Sequence, residues 1–144
     1  MKKQIFLVAA MALTIFSACK DDDKKEVIEA PVSKTTKEVI TAEVWNLNKT
    51  ESKTYLNDSL VYEETEVVNG TAHFLEDNTV ISYLEGEPED TSAWHLDGNT
   101  LTIDSMAMEI LEIEDEKLTL EFMEEETVPN FGTMRYTSTT YLTR

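Results

Sequence analysis

The sequence is poor in cysteine, glycine, proline and histidine. Its 144 residues include one Cys, four Gly, three Pro and two His. A single cysteine excludes an internal disulfide framework, and one thiol with two imidazoles cannot supply the usual ligands of a structural zinc site. The longest apolar run, Ile5–Phe16, is shorter than the roughly 20 residues that span a membrane, which excludes a polytopic membrane protein.

Basic residues are also scarce. The chain carries 12 Lys and Arg against 29 Asp and Glu, a formal net charge of −17. Nucleic-acid binding needs Lys and Arg side chains against the phosphates, so we expect no nucleic-acid partner. The length favours one folded domain, and a hydrophobic fraction of 41% is enough for an ordinary core.

The first nineteen residues combine a basic start, a short apolar segment and small residues before the only cysteine. Lys2 and Lys3 precede Ile5–Phe16, and Ser17-Ala18 comes directly before Cys19. This order is typical of a secretory signal peptide, and its last four residues resemble the lipobox of bacterial lipoproteins. The resemblance implies that residues 1–18 are removed and that Cys19 carries acyl chains such as palmitate, which anchor the protein in a membrane. The alternative is a chance thiol near an ordinary cleavage site.

The segment after the cysteine is polar and has no net charge. Residues 20–37 hold five Lys and five acidic residues, so we interpret residues 19–37 as a lipidated cysteine with a flexible tether. Lys20 with the three aspartates that follow it resembles the surface-export signal of Bacteroidetes lipoproteins; a solvated spacer is the alternative. The expected location is the bacterial cell envelope, anchored to the outer membrane and displayed at the cell surface if the export signal is real.

The remainder, residues 38–144, has the composition and the regularly spaced turn signals of an antiparallel β domain. It holds 16 Thr, 7 Val and 5 Ile but only 4 Ala, which favours strands over helices. Turn signals such as Asn69-Gly70 and Asp97-Gly98-Asn99 recur about every 8 to 12 residues. Alternation of apolar and polar residues breaks phase at Ile110-Leu111, which predicts a bulge there.

These signals predict nine short strands, and residues 38–41 are candidates for one helical turn or a lid across one end. The predicted strands are 43–49, 60–68, 71–76, 79–84, 91–96, 100–104, 106–114, 117–123 and 133–143. Because closure removes exposed sheet edges, we predict an all-β fold: a small antiparallel meander β-barrel of about eight strands.

Several segments, taken in order, are similar to a known family. They are Val44-Trp45-Asn46-Leu47, Phe74–Val80, Trp94–Ile103, Met108–Ile110 with Lys117–Leu120, and Tyr141-Leu142-Thr143-Arg144. Together they resemble the lipocalin-like domains of small Bacteroidetes lipoproteins. True lipocalins carry a Gly two residues before the first Trp, where this chain has Glu43. The resemblance implies that Trp45 closes one end of the barrel and that Arg144 stacks on it, with Arg135 as the alternative partner.

The aromatic and methionine side chains are the candidates for a ligand site. On inward strand faces they would line a pocket for an apolar or planar molecule. The candidates are Trp94, Tyr83, Phe74, Met106, Met108 and Phe122. The alternative is that the same side chains simply fill the barrel.

No motif for catalysis or metal binding is present. The sequence has no Gly-x-Ser-x-Gly, no His-Glu-x-x-His and no phosphate-binding glycine loop, so we expect neither an enzyme nor a cofactor. Glu124-Glu125-Glu126 is a weak calcium candidate, and His73 with His95 a weak transition-metal pair. A solvated acidic surface and structural histidines are the simpler interpretations.

Two functions remain after these exclusions. The first is an envelope lipoprotein whose barrel holds a small hydrophobic molecule. The second is a non-enzymatic module that contacts a protein or a glycan through its loops and acidic exterior.

Overall fold

The computed structural model describes residues 34–144, which form one short helix and eight strands. The predicted signal peptide, the predicted lipidation site Cys19 and most of the predicted tether lie outside the described residues. The elements are α1 (Thr36–Thr41), β1 (Trp45–Leu56), β2 (Ser59–Phe74), β3 (Thr79–Leu84), β4 (Asp90–Asp97), β5 (Thr100–Ile103), β6 (Met106–Glu114), β7 (Lys117–Val128) and β8 (Gly132–Thr143).

The eight strands form a closed barrel in which each strand pairs with its neighbours in sequence. All pairs are antiparallel, and β1 closes the barrel by pairing with β8 from Asn46 opposite Thr143 to Leu56 opposite Met134. The predicted fold, an eight-stranded antiparallel meander barrel, is therefore confirmed.

The helix covers one end of this barrel. Thr35 caps α1 by accepting a hydrogen bond from the Glu38 amide, and the Glu38 carboxylate accepts one from the Thr35 amide in return. The helix begins at Thr36, two residues before the predicted start of the domain. Ile40 is fully buried on its inner side. Within residues 34–144, no helix is both long and apolar enough to cross a membrane.

The predicted bulge in β6 is present. Ile110 pairs with Leu120 and Glu112 pairs with Thr119, which leaves Leu111 as the extra residue. Ile110 is buried, whereas Leu111 is 50% exposed. The phase break in the sequence therefore marks the position at which β6 bends around the barrel.

The predicted turn at Asn69-Gly70 is wrong, because β2 runs through it without interruption. Gly70 pairs with Leu47 on one side and with Leu84 on the other. A Cβ atom at this position would lie 2.4 Å from the Tyr83 carbonyl oxygen. The glycine therefore permits close approach of β3 and does not reverse the chain.

The turn that does reverse the chain is Asn57-Asp58, which was not predicted. Both residues have positive φ, 50° and 62°, as a two-residue hairpin turn requires. β1 consequently extends to Leu56, seven residues beyond its predicted end at residue 49. β7 likewise continues through the three glutamates to Val128.

These long strands project beyond the barrel as a four-stranded sheet, which we call the extension. Its strand order is β2-β1-β8-β7. On β2 it begins where pairing to β3 ends at Gly70, and on β7 where pairing to β6 ends at Glu121. It comprises residues 49–56, 59–68, 122–128 and 132–139.

The core fills the barrel half nearest α1. Its largest fully buried side chains are Trp45, Phe74, Ile40, Leu101 and Leu118. These come from the helix and from four different strands, so the helix and the sheet share one core. The other half, towards the extension, contains the candidate site.

Candidate functional site

The filled end of the barrel is closed by Trp45 and Arg144. Trp45 is fully buried and its Nε1–H donates to the Ile40 carbonyl oxygen at 2.9 Å. The Arg144 guanidinium carbon lies 4.0 Å from the centroid of the Trp45 ring, in a cation–π contact. The same guanidinium donates to the carbonyl oxygens of Val39 and Asp115, the latter at 2.7 Å. Arg144 thus joins the last strand to the helix and to the β6–β7 turn.

Arg135, the alternative partner for Trp45, makes its contacts elsewhere. The Arg135 guanidinium lies 4.7 Å from the Tyr55 ring centroid, and its Nη1 is 3.3 Å from Asp58 Oδ1. Both contacts lie in the extension, on the outer side of β1 and β8. Arg144, and not Arg135, therefore holds the position that the family resemblance implies.

Between the filled end and the extension lies a cavity of about 420 Å³. Most of the residues around it are apolar, and they come from seven strands and the β5–β6 turn. They are Leu47, Ala72, Phe74, Val80, Ser82, Ile103, Asp104, Ser105, Met106, Met108, Leu120, Thr140 and Leu142. A volume of this size is within the range that small-molecule sites occupy.

Three of the six predicted ligand residues line this cavity: Phe74, Met106 and Met108. Phe74 is 1% exposed and forms the cavity wall on the side of the core. Met106 is 51% exposed at the start of β6, so it lies where the cavity meets the surface. The two methionines are separated by one residue and therefore point to the same side of their strand.

The other three predicted ligand residues, Trp94, Tyr83 and Phe122, do not line the cavity. Trp94 packs edge-on against Phe74 with a centroid distance of 5.6 Å, and its Nε1–H donates to the Leu75 carbonyl oxygen at 3.0 Å. It is a core residue behind the cavity wall. Tyr83 is 45% exposed because it follows the inward-facing Ser82 and so points outward.

Phe122 belongs to the extension and not to the cavity. It lies two positions after Leu120 on the same face of β7 and packs against Tyr136, with ring centroids 6.5 Å apart. The face that lines the cavity therefore continues onto the extension. A ligand longer than the cavity would reach Phe122 next.

The aliphatic lining residues were not singled out as ligand contacts from the sequence. Leu47, Val80, Leu120 and Leu142 complete the wall. The alternation of Leu118 with Leu120 indicates an inward face, but not which inward residues border empty space. Which inward residues border the cavity depends on how the barrel tapers, and the sequence pattern does not predict the taper.

Few polar groups face the cavity, and one of them serves the fold. Asp104 has a φ of 52°, and its carboxylate accepts a hydrogen bond from the Ala93 amide at 3.0 Å. This contact fixes the β5–β6 turn at the edge of the cavity. The hydroxyls of Ser82, Ser105 and Thr140 remain as candidate partners for a polar group on a ligand.

The metal candidates are not brought together. In residues 34–144 no group of three or more His, Cys, Asp or Glu side chains is placed to hold a metal ion. His73 on β2 pairs with Ile81 of β3, and His95 on β4 pairs with Thr102 of β5, so a strand lies between the two histidines. Glu124–Glu126 lie in the exposed part of β7.

Comparison with known proteins adds no assignment to this geometry. Searches against protein-family models, curated proteins and solved structures gave no significant match to this chain.

Proposed function

We propose that this chain is a lipid-anchored protein of the bacterial cell envelope that holds a small, largely apolar molecule in the open half of its barrel. The cavity of about 420 Å³, with its predominantly aliphatic, aromatic and methionine lining, is the observation that carries this proposal. The lipocalin-like order of sequence motifs supports it. The volume suits one compact ligand.

The lining also suggests the chemistry of that ligand. Met106 and Met108 are flexible side chains that adapt to varied shapes, while Phe74 is a rigid wall. The hydroxyls of Ser82 and Thr140 suit one hydroxyl, carbonyl or carboxyl group at the edge of an otherwise apolar body. Fatty acids have this character, and haem and bile-salt-like molecules, which carry more than one polar group on an apolar body, are the other candidates.

We propose binding without chemical turnover. Among the described residues, the cavity lining includes one carboxylate, Asp104, and no histidine, lysine or cysteine. That carboxylate is engaged with the Ala93 amide. General acid–base catalysis needs a titratable group free to reach the substrate, so this lining favours storage, transport or sensing of a molecule.

The envelope location rests on the sequence. Lys2-Lys3, the apolar Ile5–Phe16 and Ser17-Ala18-Cys19 support export followed by acylation of Cys19. The segment between Cys19 and α1 would then act as the tether that holds the barrel away from the membrane.

The proposal is tested by adding fatty acids, haem and bile-salt-like compounds to the full chain in detergent and following binding by native mass spectrometry. We expect one ligand per chain and a raised melting temperature. Ala72→Phe places a large side chain at the cavity wall and should abolish the adduct, while Ala107→Phe, on an exposed position of β6, should retain it. Near-wild-type circular dichroism of both variants is the control for folding. Equal binding by both variants would contradict a site in this cavity.

A further inference from the structure

The extension has a free edge along β2. Within residues 34–144, β1 is the only strand that pairs with residues 59–68, since β3 pairs with β2 only from Gly70 to Phe74. The last main-chain contact to the β3 side is the Glu85 amide, which donates to the Asn69 carbonyl oxygen at 2.8 Å. Every second residue of an edge strand directs its N–H and C=O away from the sheet, so about ten groups of this edge have no partner strand among the described residues.

The side chains along this edge are unusually apolar for an exposed strand. Leu60, Val61 and Val67 are 51%, 59% and 77% exposed. Proline and lysine, which commonly protect edge strands, do not occur in Ser59–Phe74. The edge therefore offers both backbone partners and apolar contacts to an added strand.

A groove lies where the free edge begins. It has a volume of about 320 Å³, and its lining residues are Glu66, Val67, Val68, Asn69, Leu84, Glu85 and Glu87. Leu84 is 42% exposed at the end of β3, the strand that stops pairing there. A strand added along β2 in line with β3 would place its end in this groove.

The charge on the groove and edge is acidic. Glu66, Glu85 and Glu87 line the groove, and no basic residue is among its described lining residues. Along the edge, Glu63 is matched by Lys53 of β1 at 3.2 Å, whereas Glu64 is bonded only to the Tyr62 hydroxyl among the described residues. An incoming strand with basic side chains would meet opposite charge in the groove and along the edge.

The same carboxylates disfavour a second copy of this chain. Opposite residues of an antiparallel pair share one face of the sheet, so a symmetric pairing centred on Glu63 or on Glu64 would place that glutamate opposite the same residue of the other copy. Like charges directly opposite each other in a sheet are destabilising. The acidic side chains thus disfavour self-association and favour the binding of a basic partner.

We propose that the free edge of β2, residues 59–68, binds an extended segment of another protein in which basic and apolar side chains alternate. The segment adds to the sheet as a fifth strand of the extension, on the side away from β1. Main-chain hydrogen bonds provide affinity, and the groove at Glu66 and Glu85 selects for lysine or arginine. This site is separate from the barrel cavity and does not depend on a ligand there.

The test uses the full chain in detergent and a synthetic ten-residue peptide that alternates Lys and Val. We expect one peptide per chain, measured by isothermal titration, and at least about tenfold slower amide exchange in residues 59–68. A peptide alternating Glu and Val should not bind. Of two Lys–Val peptides N-methylated at alternate residues, in opposite phases, one should lose binding because its methyl groups face β2.

Matched variants locate the site. The triple variant Glu66→Gln, Glu85→Gln, Glu87→Gln should bind the Lys–Val peptide about tenfold more weakly. The triple variant Glu124→Gln, Glu125→Gln, Glu126→Gln changes the net charge equally on β7 and should leave the affinity within about twofold. Equal loss in both variants, protection on β7 instead of β2, or no binding would overturn the proposal. Protection of residues 59–68 that rises with protein concentration alone would instead show self-pairing and would also overturn it.

Discussion

Asn57 and Thr133 hold the two hairpins of the extension together. The Asn57 amide donates to the Thr133 carbonyl oxygen at 2.9 Å, and the Thr133 amide donates to Asn57 Oδ1 at 3.0 Å. Asn57 Nδ2 also donates to the Phe131 carbonyl oxygen at 3.2 Å. One side chain thus joins the β1–β2 turn to the β7–β8 turn, which lie more than 70 residues apart in the sequence.

The first prediction concerns this contact. Asn57→Gly keeps a residue that tolerates positive φ but removes two side-chain hydrogen bonds, so we expect a loss of about 1 to 2 kcal/mol in the free energy of unfolding. Asn57→Ala also introduces backbone strain at a φ of 50° and should lose about 1 kcal/mol more. Urea denaturation of both variants measures the difference. Equal free energies of unfolding for Asn57→Gly and the wild type would show that the Asn57 side chain does not stabilise the fold.

The second prediction concerns Gly70. In Gly70→Ala the new Cβ would meet the Tyr83 carbonyl oxygen, and β3 must shift to accommodate it, so we expect a loss of about 2 to 3 kcal/mol. Gly98→Ala is the comparison, because its Cβ would have no neighbour within 4 Å and only its φ of 57° is unfavourable. Thermal unfolding should rank Gly70→Ala below Gly98→Ala. The reverse order would mean that β3 shifts away from residue 70 with little loss of stability.

The third prediction concerns the closure of the filled end. Arg144→Ala removes the cation–π contact with Trp45 and the bonds to Val39 and Asp115, so the free energy of unfolding should fall by about 2 to 3 kcal/mol. Arg135→Ala removes a similar stacking contact on Tyr55, but in the extension, and should cost less than about 1 kcal/mol. Chemical denaturation of both variants is the measurement. A larger effect at Arg135 would place the closing contact elsewhere.

The fourth prediction concerns pH. Hydrogen bonds from Lys49 and then from the Tyr141 hydroxyl hold the pKa of Glu51 below its usual 4.5. A lowered carboxyl pKa stabilises the fold above the unfolded-state value, and this stabilisation is lost as the pH falls through the folded-state pKa. Glu51→Gln should therefore be less stable than wild type at pH 7, and the gap should close progressively below about pH 4.5.

The control for this pH effect is Glu109→Gln. It removes the same charge from an exposed position on β6. Denaturation midpoints measured from pH 7 to pH 3 should show no comparable closing gap for this variant. The same profile in both variants would indicate a general charge effect and not the Lys49–Glu51–Tyr141 cluster.

The fifth prediction concerns the anchor. The wild-type chain expressed in a bacterium should partition into the detergent phase, and Cys19→Ser should move it to the aqueous phase because no thiol remains for acylation. Phase separation followed by immunoblotting measures the shift, with Ser17→Thr as a variant that keeps the cysteine. Detergent partitioning that persists in Cys19→Ser would contradict lipid anchoring at this residue.

The sequence predicts the strand content and closure well because both depend on local alternation and turn chemistry. The bulge at Leu111 is visible as a phase break, since one extra residue moves Ile113 onto the face that Ile110 occupied. The last six strands begin within one residue of their predicted starts, although β7 ends at Val128, five residues after its predicted end. Local patterning is strong there because turns and short strands alternate regularly.

The extension could not be predicted from the sequence in the same way. Residues 49–54 and 124–127 are polar on both faces, so alternation gives no signal, and only pairing to a neighbouring strand keeps them extended. Asn69-Gly70 is a strong turn signal that tertiary contacts override. Asn57-Asp58 is a usable signal for the missed hairpin, because both residue types tolerate positive φ.

The candidate site was predicted in part for a similar reason. Phe74, Met106 and Met108 line the cavity because they share the inward phase of their strands. Tyr83 falls on the opposite phase to Ser82, and Trp94 is inward but lies within the filled half. The sequence pattern predicts whether a side chain points into or out of the barrel. How far along the barrel axis that side chain lies depends on the stagger of the strands, which is set by the whole sheet.

Methyl NMR of the full chain titrated with a fatty acid tests directly whether the barrel holds a ligand. Leu120 and Leu142 border the cavity, while Leu111 is exposed on the bulge. We expect saturable shifts for the methyl groups of Leu120 and Leu142, with intermolecular NOEs to the acyl chain, and no change at Leu111. Unchanged Leu120 and Leu142 signals, or equal shifts at all three residues, would contradict a ligand held inside the barrel.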